Sequence, residues 1–560
     1  MCGIGGVFVK NGHVPHPVAL EKMRDALSKR GPDGHGIYSN KSVGLVHTRL
    51  SIIDSEGGHQ PMKDDKGRVI VFNGEIYNYL EIRQSLKQSY HFKTQSDTET
   101  ILALYDAYDI DFIHHLRGMY AIALYDPAIE RLIIARDPFG IKPLYITENS
   151  KHIAFASEPK SLIHSGLADN FLDVNILRSV VSQNYISGND TPFPSVKRVH
   201  AGERILFEKG VKISSSITSP ISEDAPRIEN EDHALQRLEQ VLKDSVDVHC
   251  RSDVGYGVFL SGGVDSSTIM QTLSMLGERG HNIKSYTAYF DVAGSADERE
   301  YARAVATATN ANFHEVPFGI EDFRKLLPEI AAYMDDPVSD YAILPTWKLA
   351  SVAAAEQKVV LCGEGGDELF GGYGRYHKRW WKDWKKPKSN TPYSPHWSHL
   401  QKVQADDIAE YLPNDLLIKL DTCLMAHGLE GRTPFLDKVI SDFAFALPDS
   451  LKLRDKTGKY ILKKWLDEKL PVANAFRKKQ GFTVPVETWI AEDAKNISNG
   501  LINNPLIKEI LSKRDLDLIP KILPTPVGAK QCWPLLYLAL WHHGKMDDAV
   551  SPNMIENLAS

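Results

Sequence analysis

The sequence predicts a strand-rich α+β domain followed by an α/β domain that carries a parallel sheet and ends in a mainly helical part. Three observations predict this. The 560 residues exceed what one ordinary hydrophobic core holds. Residues 2–207 read as short apolar β runs with two helical stretches between them. After residue 232, an apolar strand runs into a Ser-Gly loop and a helix, and strand–helix alternation continues from there.

In chain order, GIGGVFV, VGLVHTRLSII, RVIVFNGE, MYAIALYD and RLIIARD are the β runs of the first domain. Helices are expected near Ala19 to Lys29 and Glu99 to Tyr108. From Val211 the chain turns polar, and SSSITSPISEDAPRIENED concentrates Ser, Pro and acidic residues as linkers do. The expected division is therefore a domain at 1–210, a linker at 211–231 and a second domain at 232–560. In that second domain Leu235, Leu238, Val241 and Leu242 recur at helical spacing, and GYGVFL then forms a strand entering SGGVDSS. KSYTAYF followed by EREYARAVATATN, and PTWKLASVAAAE followed by KVVLCGEGG, continue the alternation.

Composition narrows the function. The net charge of -7 argues against a nucleic-acid partner, since such domains carry a basic excess. No run of about 18 apolar residues could span a bilayer, and the opening MCGIGGVFVKNG lacks a signal peptide's basic start, so no membrane partner and a cytoplasmic location are expected. Five scattered cysteines without metal-ligand spacing fit reduced thiols.

Two places carry chemistry. Removal of the initiator methionine puts the Cys2 thiol beside a free α-amine, which can serve as its base for attack on an amide carbonyl. At the end of the VIVF strand, Asn73 and Gly74 can supply a side-chain amide and a backbone N–H to an oxyanion, although Asn-Gly is also a hairpin signal. An amino-acid substrate needs a cation for its carboxylate and an anion for its ammonium, and Arg49 and Asp97 are residues of those types.

The second place is SGGVDSS. It lacks the lysine of a P-loop, yet Gly262 and Gly263 let backbone approach anionic oxygens, and Ser261, Ser266 and Ser267 add hydroxyls. Asp265 makes sense beside phosphates only if Mg²⁺ intervenes. A second loop, LCGEGGDELFGGY, also follows an apolar strand and sets Glu364, Asp367 and Glu368 among five glycines, which suits a further metal ligand and a catalytic carboxylate. Loops at the ends of neighbouring parallel strands are where open α/β sheets bind ligands.

MCGIGG, RGPDGHG, HTRLSIID, FNGEIYNY, QSDTE, LRGMYAIALYD and ARDPFGIKPLY resemble, in order, the glutaminase domain of class II amidotransferases. SGGVDSS, DDPVSDYAILPTW, LCGEGGDELFGGY, EGRTPFLDK, TGKYILKK and RKKQGFTVP resemble the synthetase domain of glutamine-hydrolysing asparagine synthetases. The resemblance implies an αββα N-terminal-nucleophile sandwich followed by an ATP-pyrophosphatase-type domain. It implies Cys2 as nucleophile, Asn73 and Gly74 as the oxyanion hole, and Arg49, Asn73, Glu75 and Asp97 as glutamine holders. In the second domain it implies that Leu260, Ala288, Cys362 and Gly363 line the adenosine and that Asp265 and Asp367 hold Mg²⁺. Glu364 would support adenylate formation and ammonia attack, and Lys459 would stabilise transition-state charge. Cys362 departs from the serine common there. The substrates so implied are glutamine, aspartate and ATP, and the resemblance permits a homodimer. An amidotransferase acting on a different carboxylate shares the same domains, so the acceptor stays open.

Other features have plainer readings. RWWKDWKKPKS at 379–389 reads as a surface insertion with lysines snorkelling over indoles. His114-His115 and His542-His543 are sequence neighbours and do not share a face, so neither pair suits a metal. LLYLALW reads as a buried helix.

Overall fold

The computed structural model describes residues 2–10, 14–222, 227–228, 230–277, 282–290, 292, 297–377, 394–478 and 484–546. The RWWKDWKKPKS segment and the middle of RKKQGFTVP lie outside the described residues. Twelve strands build the N-terminal part: β1 (Gly3–Val9), β2 (Gly34–Ser39), β3 (Val43–Arg49), β4 (Met62–Lys63), β5 (Val69–Ile76), β6 (Gly118–Asp126), β7 (Arg131–Arg136), β8 (Tyr145–Glu148), β9 (His152–Ala156), β10 (Lys197–Arg198), β11 (Glu203–Glu208) and β12 (Val211–Ile217). They form two six-stranded sheets, ordered β10-β8-β9-β1-β3-β2 and β12-β11-β7-β6-β5-β4.

The inner faces pack together through Ile4, Phe8 and Leu45 of one sheet and Val71, Ala121, Tyr125 and Ile134 of the other. Helices Tyr79–Leu86 and Asp97–Tyr108 cover the second sheet's outer face, and Pro17–Ala26 with Pro159–His164 cover the first. The result is an αββα sandwich. Because each sheet is covered on both faces, β3 is buried at every position, which is why the sequence shows continuous apolar runs there rather than alternation. Ser96 starts the helix Asp97–Tyr108 by accepting a hydrogen bond from the Thr98 N–H.

The polar stretch from Val211 begins with an edge strand and not with the linker expected there. β12 pairs with β11, but all seven of its side chains are exposed, so nothing in its composition marks it as structured.

The second part is built on β13 (Tyr256–Phe259), β14 (Lys284–Phe290), β15 (Asn312–Phe318), β16 (Val359–Leu361) and β17 (Glu430–Arg432), all parallel, in the order β15-β14-β13-β16-β17. The chain moves outward from β13 to β15, then returns to the other side of β13 with β16. The crevice beyond the carboxyl ends of β13 and β16 is therefore the topological switch point. Helices cover both faces, and the LLYLALW segment lies in the helix Pro526–Met546 with Leu536 to Trp541 wholly buried. Among the described residues no helix is long and apolar enough to cross a membrane.

The two parts share a core. Tyr77, Met119, Phe139 and Ile141 of the first pack in one cluster with Leu238, Val258, Leu260 and Phe435 of the second.

Candidate active site

Cys2 sits at the head of β1, half-buried, with its Sγ 4.0 Å from the Leu50 carbonyl oxygen. Its backbone N donates to Asn73 Oδ1 at 3.0 Å, and Arg30 Nε donates to its carbonyl at 3.1 Å. Asn73 is fully buried within β5, which runs on through Gly74 to Ile76 instead of ending at VIVF as expected, and its Nδ2 has no hydrogen-bond partner. A buried, unpaired amide is costly unless something arrives to accept from it. The same side chain accepts from the Cys2 N–H through Oδ1, so a donor to a developing oxyanion stands next to the Cys2 main chain. The next residue can only be glycine: Gly74 has φ +152°, and a Cβ there would lie 2.0 Å from the Met119 carbonyl oxygen.

Burial is the largest influence on the Cys2 thiol and holds it above its ordinary value; Glu430 and Glu75 push the same way. The thiol therefore needs a local base.

The other residues expected to hold glutamine divide. Asp97 is buried at the start of its helix, and its Oδ2 accepts from the Ile76 N–H at 3.0 Å, which ties it to β5. Burial lifts its pKa to about 6 against backbone hydrogen bonds from Ile76 and Thr98. Glu75 is buried beside it, and burial is likewise the largest reason its carboxyl lies well above the ordinary range. Arg49, at the end of β3, has its guanidinium on the carbonyls of Ile53 (3.2 Å), Asp54 (2.5 Å) and Ser55 (2.8 Å), which fixes it in a loop.

At the switch point Leu260 is buried at the end of β13, and its N–H donates to the Tyr286 carbonyl of β14 at 3.0 Å. Ser261 and Ser266 hydroxyls lie 3.1 Å apart, and Ser261 Oγ accepts from the Gly263 N–H at 3.1 Å, which closes the loop on itself. Gly262 has φ +73°, and a side chain there would strike Ala302. The helix Val264–Met275 starts at Gly263 and carries Asp265 in its first turn. Ser267 is wholly buried. Ala288 lies on β14, nearly buried. Cys362 follows β16; its N–H donates to the Arg432 carbonyl at 2.8 Å, and its Sγ lies 3.9 Å from the Val360 carbonyl oxygen. Gly363 packs on the SGGVDSS loop, where a Cβ would come within 3.2 Å of the Ser266 N.

Lys459 joins the two loops. Its Nζ reaches Asp265 Oδ2 at 2.5 Å and Asp367 Oδ1 at 2.7 Å. Burial alone would lower this ammonium's pKa, but the two carboxylates outweigh it and raise it. Space here is tight: a Cβ on Gly372 would lie 1.8 Å from Asp367 Oδ1 and 2.2 Å from Lys459 Cε. Two carboxylates that already converge on one cation are the donor set expected for Mg²⁺, whose remaining ligands come from phosphates and water. Among the described residues no group of three or more His, Cys, Asp or Glu could hold a metal by itself.

Glu364 lies in the same loop, its carboxyl raised by burial against the opposing charge of Lys419. Lys419 pairs with Asp340, and Glu368 accepts from Tyr373 Oη at 2.6 Å. Burial, then Asp367, lifts Glu368 to about 7.

Sequence reading assigned no role to Arg30, Asp340, Lys419, Glu430 or Arg432. Arg30 and Arg432 are wholly buried, and Arg30 meets Asp421 and Arg432 meets Glu75 across hundreds of residues, contacts that no local pattern marks.

The asparagine synthase family model matches residues 237–543, and a glutamine amidotransferase domain model matches residues 1–216. "Asparagine synthetase [glutamine-hydrolyzing] 1" of Bacillus subtilis is 31% identical over 100% of this chain and 99% of its own length. "Asparagine synthetase B [glutamine-hydrolyzing]" of Escherichia coli is 31% identical over 95% of this chain and 93% of its own. "Amidase chry2" of Gibberella zeae is 33% identical over 67% of this chain and 59% of its own.

Proposed function

Because this chain belongs to the asparagine synthase family and carries a glutamine amidotransferase domain, we propose that it makes asparagine from aspartate, with glutamine as nitrogen donor and ATP as the activating substrate. The observation that carries this reading is the convergence of Asp265, Asp367 and Lys459 at the switch point, in a chain whose Cys2 is bonded to Asn73.

In the first half-reaction the Cys2 thiol attacks the glutamine carboxamide carbon, and its own α-amine, freed by methionine removal, takes the thiol proton. Asn73 Nδ2 and the Gly74 N–H stabilise the oxyanion, and the proton passes to the departing ammonia. Water then hydrolyses the thioester to glutamate. Arg49 and the Glu75–Asp97 pair hold the substrate's carboxylate and ammonium.

In the second, an aspartate side-chain oxygen attacks the α-phosphorus of ATP, and pyrophosphate leaves. The Ser-Gly loop and Lys459 hold the phosphates. Mg²⁺, when held by Asp265 and Asp367, offsets charge on the phosphate oxygens. Ammonia attacks the acyl carbon, AMP leaves, and Glu364, made more basic by burial, accepts a proton from the nitrogen. Ammonia carried through the apolar interface around Tyr77, Met119 and Phe139 would stay unprotonated between the sites.

Product analysis by mass spectrometry tests the acceptor. With ATP, Mg²⁺ and glutamine, aspartate should yield asparagine, AMP and pyrophosphate. Faster pyrophosphate release with another carboxylic acid in a panel would instead favour a relative of the amidase kind.

The Asp97 carboxyl gives a pH prediction. Its raised pKa means that it is neutral below about pH 6 and cannot then hold an ammonium. In a Cys2→Ala protein, where binding is measured without turnover, glutamine Kd should rise as pH falls through about 6. A Kd that stays flat from pH 7 to 5 would contradict the role given to Asp97.

A further inference from the structure

We infer that Arg432, a residue of the synthetase sheet, is a positioning residue for the glutamine site: it holds the Glu75 carboxylate in place for the glutamine ammonium. This rests on the reading of Glu75 as part of the glutamine site. Arg432 is wholly buried. Its Nη1 donates to the carbonyls of His249 (2.8 Å) and Arg251 (2.7 Å), and its Nε donates to Glu430 Oε1 at 2.6 Å. Three contacts on the synthetase side thus fix the guanidinium. Its Nη2 crosses into the other domain and meets Glu75 Oε1 at 3.2 Å.

The main chain of the same residue runs beside the ATP loop. Arg432 lies opposite Leu361 in the β16/β17 ladder, and its carbonyl accepts from the Cys362 N–H at 2.8 Å. One residue therefore joins the ATP loop through its backbone and the glutamine pocket through its side chain.

The charges around Glu75 explain why an ammonium belongs there. Arg432 serves two carboxylates, Glu75 and Glu430, and Asp97 adds a third acidic group acting on Glu75. The buried Tyr77 ring also faces this group, with the Arg432 guanidinium 6.0 Å from its centroid. A single guanidinium cannot neutralise the acids, and a substrate ammonium supplies a further positive charge. Arg432 is the charge that works against burial to favour the Glu75 carboxylate, so its loss would weaken the hold on the substrate.

The test uses full-length enzyme carrying Arg432→Gln with Glu430→Gln, a pair that keeps hydrogen-bonding capacity while removing both charges. Glutamine KM should rise about 10- to 100-fold, the size expected when a buried charge loses its ion-pair partner. Synthesis from ammonium should stay within about twofold, a split that a merely structural role would not produce. Arg432→Lys should recover part of the affinity. An unchanged glutamine KM, or a parallel fall in both activities, overturns the inference. Should the double variant fail to fold, a double-mutant cycle between Glu75→Gln and Arg432→Lys decides: non-additive effects on glutamine KM support it, and additive effects overturn it. If the unaltered enzyme hydrolyses no glutamine, or Glu75→Gln leaves KM unchanged, the glutamine-site reading itself falls. If Glu75→Gln raises KM and the Arg432 variants do not, only the inference falls.

Discussion

Replacing Cys2 with alanine should abolish glutamine-dependent synthesis, by a factor on the order of 10³ or more, as removal of a nucleophile does. Synthesis from added ammonium should persist within about twofold. The asymmetry follows from the position of the residue. The thiol's contact with the Leu50 carbonyl oxygen is a weak one, at 4.0 Å, so truncation removes chemistry and little packing. The main-chain bonds to Asn73 and Arg30 do not depend on the side chain and hold the terminus in register. The synthetase loops stand on a different sheet and are untouched. Steady-state product formation with each nitrogen source checks this. Equal glutamine-dependent rates in the two proteins would refute the assignment of Cys2.

The second large effect is the mirror image. Asp367→Asn should lower synthesis from either nitrogen source by roughly 10²- to 10³-fold, the range seen when one preorganised electrostatic partner is lost. Pyrophosphate release should fall with it, and glutamine hydrolysis should continue. In the folded protein Lys459 is held between Asp265 and Asp367, at 2.5 and 2.7 Å. Asparagine is close to isosteric with aspartate and fits the space left by Gly372, so the loop can keep its shape while losing one of two charges that converge on a cation. Parallel assays of pyrophosphate and glutamate release separate the two activities. Loss of both together would show that the substitution acts by unfolding.

These two variants divide the protein along a line that its sequence already drew. Cys2, Asn73 and Gly74, and the loops around Asp265 and Asp367, were legible because each group is short, borders or sits in an apolar strand and carries its chemistry in adjacent residues. The parallel sheet was legible for the same reason, since strand and helix alternate locally. β12 was not, because an edge strand with every side chain in water has no apolar face to betray it.

What the sequence by itself determined is which residues can react: a thiol at the terminus, an amide beside a glycine, and two acidic loops at the ends of apolar strands. Only the tertiary structure decided what surrounds them. Arg30 meets Asp421 across 391 positions of chain, Lys459 meets Asp265 across 194, and Arg432 reaches Glu75 from the far sheet. The physical reason is that a buried charge must find a partner, while Coulomb attraction depends on distance in space and leaves no periodicity or spacing in the chain.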